Sequence, residues 1–156
     1  MSERSRTPLD PNERVSTLFS HRIVAAAEDV DMMGHISNVA YVRWIQDVAL
    51  AHSHAAGWDL DRYFALGAAF LVRRHEVDYL RPAFTGDLVE SSTWIERWTA
   101  ATSVRYTVIR RVGDDLELIR SRTIWALVTR ETGRPRRIPR EIELAFLDPT
   151  KAAARS

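Results

Sequence analysis

The clearest pattern along the chain is helical. Between Asn38 and Ala56, apolar residues at Tyr41, Trp44, Ile45, Val48 and Ala55 recur at helical spacing, which gathers them on one face. Such a stripe has to bury against another element, and a sheet is the expected partner. Asn38 is the expected N-cap and Gly57 the expected C-terminal stop. At about 1.5 Å per residue the helix would run roughly 28 Å, long enough to be the central element of a small domain.

Elsewhere the pattern is that of strands. Near Leu18 to Ala26, Phe19, Ile23 and Ala25 alternate imperfectly with Ser20, Arg22 and Val24. A short helical or loop segment fits Leu60 to Leu66. Strands are then predicted over Phe70 to Leu80, Asp87 to Trp98, Ser103 to Arg111 and Leu116 to Thr129, all rich in β-branched and aromatic residues. Pro82 with Gly86-Asp87 breaks one pair, Gly113-Asp114-Asp115 turns another, and Thr132-Gly133-Arg134-Pro135 ends the last strand. Arg140 to Leu147, after Pro139, reads as a short terminal helix. Strands joined by short turns imply antiparallel pairing. The prediction is an α+β fold: a long central helix wrapped by a curved antiparallel sheet of about five strands. Its open edges, and Trp94, Trp98 and Trp125 on its strands, make self-association an expected way to cover them.

Length and composition narrow the functional classes. A chain of 156 residues fits one domain, expected over residues 15–148, with a loose polar arm at 1–14 and a tail at 149–156. A formal charge of +1 argues against nonspecific nucleic-acid binding. The absence of cysteine excludes disulfides, thiolate metal sites and cysteine nucleophiles. The first dozen residues lack the apolar core of a secretory signal, and no later run approaches membrane-spanning length, so a cytoplasmic protein with no membrane partner is expected. All basic residues except Lys151 are arginine, for which genome-wide codon bias is a sufficient account.

The chemistry concentrates just before the helix, in Asp29-Val30-Asp31-Met32-Met33-Gly34-His35-Ile36-Ser37-Asn38. Unpaired N–H groups in a first helical turn, with the helix dipole, favour negative charge, including an oxyanion formed during acyl transfer. An acidic residue beside that turn can attack or activate water. For Asp31 the competing reading is a turn carboxylate bonded to its own backbone; for Gly34, a positive-φ turn residue; for His35, simple packing.

These residues resemble the acyl-CoA thioesterases of the hotdog fold, specifically the 4-hydroxybenzoyl-CoA thioesterase and YbgC-like group. The resemblance rests on Asp29-x-Asp31-x-x-Gly34-His35-x-x-Asn38-x-x-Tyr41, on Val77-Asp78-Tyr79-Leu80-Arg81-Pro82 with Gly86-Asp87, and on Thr132-Gly133-Arg134-Pro135 with Ile138-Pro139. It implies hydrolysis of an acyl-CoA to free acid and coenzyme A, in a homodimer or homotetramer with active sites at subunit interfaces. By the same resemblance, Asp31 is the catalytic carboxylate, and the amides around Gly34, His35 and Ile36 polarise the thioester carbonyl. His35 is a candidate catalytic partner, Asn38 and Tyr41 are positioning residues, and Asp29 is structural. Gln46-Asp47 stands where many relatives carry a glutamate.

His52 and His54, two residues apart on a helix, point to nearly opposite sides and predict no metal site; no cofactor is expected. Arg73-Arg74 and the cluster Arg134, Arg136, Arg137, Arg140 are candidate contacts for coenzyme A phosphates, with Arg73, Arg74, Arg134 and Arg137 the chosen set. A P-loop, a dinucleotide glycine fingerprint and a Gly-x-Ser-x-Gly elbow are missing. Two rival functions are a catalytically idle acyl-CoA binding module and a hotdog-type enoyl hydratase or dehydratase.

Overall fold

All the elements expected from the pattern form, with ends moved by one or two residues. The computed structural model describes residues 15–147; the arm at 1–14, the tail at 149–156 and the expected domain end at 148 lie outside the described residues. The order is β1 (Phe19–Val24), a 3-10 turn (Ala27–Asp29), α1 (Asn38–Ala55), α2 (Leu60–Ala65), β2 (Ala68–Tyr79), β3 (Leu88–Trp98), β4 (Thr102–Arg111), β5 (Glu117–Thr129) and α3 (Arg140–Phe146). The strands make one antiparallel sheet in the order β1-β3-β4-β5-β2, and α1 packs on one of its faces. The long strand following the helices is therefore an edge, not a neighbour of β3.

α1 buries Ala40, Tyr41, Trp44, Ile45, Val48 and Ala49, as its stripe requires, and Gly57 closes it with φ +90°. Its last buried turn is polar, however. His52 and Ser53 point into the protein, and Ala55 is exposed. The N-cap also differs from expectation: Ser37, not Asn38, is extended (φ −70°, ψ 151°), and its Oγ accepts the Ala40 N–H at 3.2 Å. Asn38 is the first residue of the helix, with an exposed side chain.

The core beneath α1 is divided. One apolar cluster, with Ile36, Tyr41, Trp44, Ile45, Val89, Ile109 and Ile119, lies at the helix start; another, with Trp58, Tyr63, Ile95, Leu127, Ile142 and Phe146, lies near its end. Between them the sheet presents hydroxyls and a cation to the helix. Thr107 Oγ1 donates to Thr93 Oγ1 (3.1 Å), Thr93 Oγ1 donates to the Tyr106 carbonyl (2.8 Å), and Arg105 Nη1 donates to Thr93 Oγ1 and to His52 Nδ1. Alongside, His75 joins Thr123 (2.8 Å) and Gln46 (3.4 Å). Buried polar groups are tolerated where they are bonded, and this seam bonds most of its members; Ser91 and Ser121 Oγ have no partner among the described residues. Trp94, Tyr106 and Val108 cluster on the opposite face of the sheet, where Trp94 and Tyr106 stack at 5.1 Å.

Register shifts place β-bulges at Arg73 of β2 and Glu96 of β3. A bulge locally bends its strand and re-aims neighbouring side chains. Arg73 follows the Val72–Trp125 pair, and Glu96 follows the Ile95–Arg105 pair.

Candidate active site

The segment before α1 is a tight loop tied to itself. Val30 and Ile36 form an isolated antiparallel bridge, the Asp31 N–H donates to the His35 carbonyl (2.8 Å), and Gly34 takes the positive φ (+79°) that the turn needs. A Cβ at Gly34 would meet nothing within 4 Å, so the glycine serves the backbone angle, not close packing.

Asp31 itself is exposed, and its Oδ1 accepts the N–H groups of Met33 (2.8 Å) and His35 (3.2 Å). The turn reading of this residue is thus realised, yet it engages only one carboxylate oxygen. Oδ2 has no partner among the described residues. A carboxylate held by two backbone donors through one oxygen has a fixed orientation and a free lone pair on the other, as a nucleophile or general base requires.

Asp29 supports the loop from below. It is buried, its Oδ2 accepts the Ala26 N–H (3.3 Å), its Oδ1 accepts from Arg43 (2.5 Å), and its carbonyl takes the Ser37 N–H (2.8 Å). Tyr41 lies in the core. Its Oη accepts the Ala83 N–H (2.9 Å), while the Ala83 carbonyl takes the Ile36 N–H (2.9 Å). The loop before β3 is therefore pinned to the helix start at both of its polar groups. Burial pushes the Tyr41 phenol above its ordinary pKa, so it remains neutral.

The amides expected to polarise a carbonyl are already hydrogen-bonded. The Gly34 N–H donates to the Asp31 carbonyl (3.1 Å), the His35 N–H to Asp31 Oδ1 and the Ile36 N–H to Ala83. The first two amides are consumed because the loop folds back on itself, and the third by the loop before β3. Past the Ser37 cap, the N–H groups of Asn38 and Val39 open the helix with no acceptor among the described residues. Asn38 therefore offers its backbone and not a cap. The His35 ring is exposed and rests edge-on against Phe84 (5.3 Å); Asp31 touches its amide, not its imidazole.

The four arginines are not brought together. Arg74 pairs with Glu76 along β2, and Arg73 is the exposed bulge residue. Arg134 follows the far end of β5, which pairs with Ala68, roughly 20 Å along the strand from Arg74. Arg137 lies with Arg97 and Arg140 around a shallow cleft between β3 and α3. Arg73, Arg134 and Arg137 have no carboxylate partner among the described residues. His52 is buried and bonded, whereas His54 is exposed.

What pattern reading missed is Arg105. Its only forewarning is the period-two run Ser103, Arg105, Thr107 on β4, which is polar on the face that turns to the helix.

A family model for the thioesterase-like superfamily matches residues 25–146, a span containing the loop, α1 and the whole sheet apart from β1. Comparison with curated proteins returned no match. Among solved structures, the fold is shared with a 1,4-dihydroxy-2-naphthoyl-CoA thioesterase from Synechocystis at 16% identity, covering 86% of this chain and 98% of that one, TM-score 0.79. A DHNA-CoA thioesterase from Staphylococcus aureus is similar at 21% identity, covering 88% and 91%, TM-score 0.78. The Staphylococcus aureus protein SAV2348, solved in complex with CoA, is similar at 16% identity, covering 84% and 82%, TM-score 0.77.

Proposed function

The chain belongs to the thioesterase-like superfamily, and from that premise we propose that it hydrolyses acyl-coenzyme A thioesters to free acid and coenzyme A. The observation that carries the proposal is the pairing, within one short loop, of a half-free carboxylate at Asp31 with two unpaired amides at Asn38 and Val39.

The thioester carbonyl oxygen is held at the start of α1 by the Asn38 and Val39 N–H groups, where the helix dipole adds to the donors. Asp31 Oδ2 either attacks the carbonyl carbon, giving a mixed anhydride that water then hydrolyses, or takes a proton from the water that attacks. In both routes the C–S bond breaks and coenzyme A leaves as its thiolate, a good leaving group. The neighbours that are themselves CoA thioesterases, and the one solved with CoA, support coenzyme A as the carrier. Arg73, Arg134 and Arg137 are the proposed phosphate contacts; Arg74, already paired with Glu76, is the weakest member of the original set.

A homodimer, alone or paired into a tetramer, is part of the proposal, as is a cytoplasmic setting. The β2 edge runs for 12 residues with one side unpaired, twice the 6 of the β1 edge, and a long open edge is a template for pairing with a second copy. Met32, Met33 and Val39 stand exposed around the Asp31 loop, an apolar collar that a partner subunit or an acyl group would cover. Among the described residues no helix is long and apolar enough to cross a membrane.

The test is a panel of short, long and aromatic acyl-CoA thioesters followed by a thiol-reactive dye, with Asp31→Asn as the variant. An asparagine still accepts the Met33 and His35 amides through its carbonyl oxygen, so the loop is kept and only the charge and the attacking oxygen are lost. Thiol release should fall by orders of magnitude with fold and oligomer retained. Near-parental turnover in folded Asp31→Asn refutes the assignment. Binding without thiol release by the parent would mark an acyl-CoA binding module, and a change in enoyl absorbance without thiol would mark a hydratase.

A further inference from the structure

A second candidate site lies at the far end of α1 from Asp31. A cavity of about 70 Å³ lies between the C-terminal half of α1, α2 and the inner face of the sheet. Its mouth is apolar and open: Leu50, Leu60 and Phe64 are each more than 40% exposed. Its floor, on the sheet, is formed by Arg105, Ser103, Ile95 and Trp125.

Arg105 is the anomaly. It is 5% exposed, and no ion pair among the described residues includes it. Glu96, the nearest acid in register, is the bulge residue and is held by Arg122 through two bonds of 3.0 and 3.1 Å. Arg105 Nη1 alone has partners, His52 Nδ1 (2.8 Å) and Thr93 Oγ1 (3.2 Å); neither carries negative charge. Because His52 Nδ1 accepts from a guanidinium, its proton sits on Nε2 and goes to Thr17 Oγ1 (3.0 Å). Burial and the Arg105 charge push the His52 pKa down to about 3, and burial pushes that of Arg105 down to about 10, so at neutral pH the pair holds one positive charge.

A buried cation without a counter-ion costs free energy that a carboxylate placed against it would offset. Two further observations point to the same spot. Trp125 Nε1 is buried and has no hydrogen-bond partner among the described residues, although its side chain lines this cavity. The β-bulges at Glu96 and Arg73 directly follow the Ile95–Arg105 and Val72–Trp125 pairs, irregularities that re-aim the side chains beside them.

We propose that this cleft binds a carboxylate, which sits on Arg105 beside Trp125 while the apolar body of the molecule runs out between Leu50, Leu60 and Phe64. The cavity has room for about five waters, or for a carboxylate and the first few carbons, with the remainder in the mouth. The carboxylate belongs either to a free acid or to the distal end of an acyl group. From Asn38 to Leu50 the helix rises about 18 Å, too far for a short dicarboxylyl thioester held at the helix start to reach. The free acid is the expected source. The site does not depend on the hydrolytic reading, since it is tested by direct binding.

The experiment titrates the full chain with octanoate and with octanamide, read by calorimetry and by the fluorescence of Trp98 and Trp125. Octanoate should bind saturably, and octanamide about tenfold more weakly or worse, the worth of a charged hydrogen bond. Arg105→Met should abolish the preference, and Arg105→Lys should retain part of it. Should Arg105→Met fail to fold, Leu60→Glu, which puts a negative charge at the mouth and leaves the floor intact, should weaken octanoate about tenfold or more. A second arm compares hexadecanedioyl-CoA, whose extended chain spans the distance from Asn38 to Leu50, with palmitoyl-CoA on the folded Asp31→Asn protein. An Arg105-dependent preference for hexadecanedioyl-CoA, with octanoate silent, assigns the carboxylate to an acyl group. Equal binding of octanoate and its amide, or octanoate binding that survives Arg105→Met and Leu60→Glu, overturns the site. So does the absence of saturable binding in both arms.

Discussion

Replacing Ser37 by alanine tests where the helix begins, and with it which amides face a substrate. Ser37 Oγ is the acceptor for the Ala40 N–H, at 3.2 Å. Alanine leaves the Ser37 carbonyl to take the Ala40 and Tyr41 amides but removes the cap, a loss of about 1 kcal/mol. For a chain of this length that is a fall of about 3 °C in melting temperature. Asn38→Ala removes an exposed side chain with no hydrogen bond among the described residues, and alanine is the better helix former, so the change should stay within about 0.5 kcal/mol. The same pair carries a functional reading. If the first turn holds the oxyanion, loosening it by about 1 kcal/mol limits the loss in kcat to about fivefold, with KM less affected. Thermal melts by circular dichroism, paired with thiol release, measure both. A large loss in Asn38→Ala with Ser37→Ala silent would place the cap at Asn38, shift the free amides to Val39 and Ala40, and refute the assignment.

Three further outcomes are expected. Tyr41→Phe strands the Ala83 N–H in the core and should cost about 1–3 kcal/mol in urea unfolding; an unchanged midpoint would show that the loop does not depend on this bond. His52 is neutral in the folded state, with its pKa lowered to about 3, whereas the unfolded chain protonates it near 6.5. Its contribution is therefore complete above pH 6.5 and is lost as pH falls toward 3, by about 1.4 kcal/mol per unit once well below 6.5. His21 and His75, also lowered by burial, add to the same slope. Thermal melts from pH 7 to 4.5 should decline, and more gently in His52→Gln; identical slopes would remove His52 from the account. Exchange of Arg134 and Arg137 for alanine should raise KM for acyl-CoA and leave kcat alone, and an unchanged KM would exclude that patch from phosphate binding.

The helix, the strands and their order in the chain were legible because the apolar positions of α1 and the turn residues at Pro82, Gly86 and Gly113 to Asp115 are local signals. The cap was misread by one residue because Ser37 and Asn38 are both good capping residues, and only the backbone angles decide between them. The hydrogen bonds of the Gly34, His35 and Ile36 amides were illegible for a related reason. They cannot be counted until the loop's closure and its contact with Ala83 are known. The inner face of β4 was illegible for a different reason. By its apolar members alone, that strand would turn Val104, Tyr106 and Val108 to the helix, yet the protein turns Arg105 and Thr107 inward and stacks Tyr106 on Trp94 behind the sheet. His52 was weighed only as a metal ligand by its spacing from His54, which says nothing of an arginine reached from across the fold.

The polar seam through the middle of the core gives the two ends of the molecule separate histories. A change of side-chain volume among Trp58, Tyr63, Ile95 and Phe146 is absorbed on one side of a hydrogen-bonded partition, and Trp44, Ile109 and the loop they support lie on the other. Substitutions can therefore reshape the cleft near Leu50 and Phe64 without disturbing the loop that carries Asp31. Descendants of such a protein can vary one end of the fold while inheriting the other unchanged.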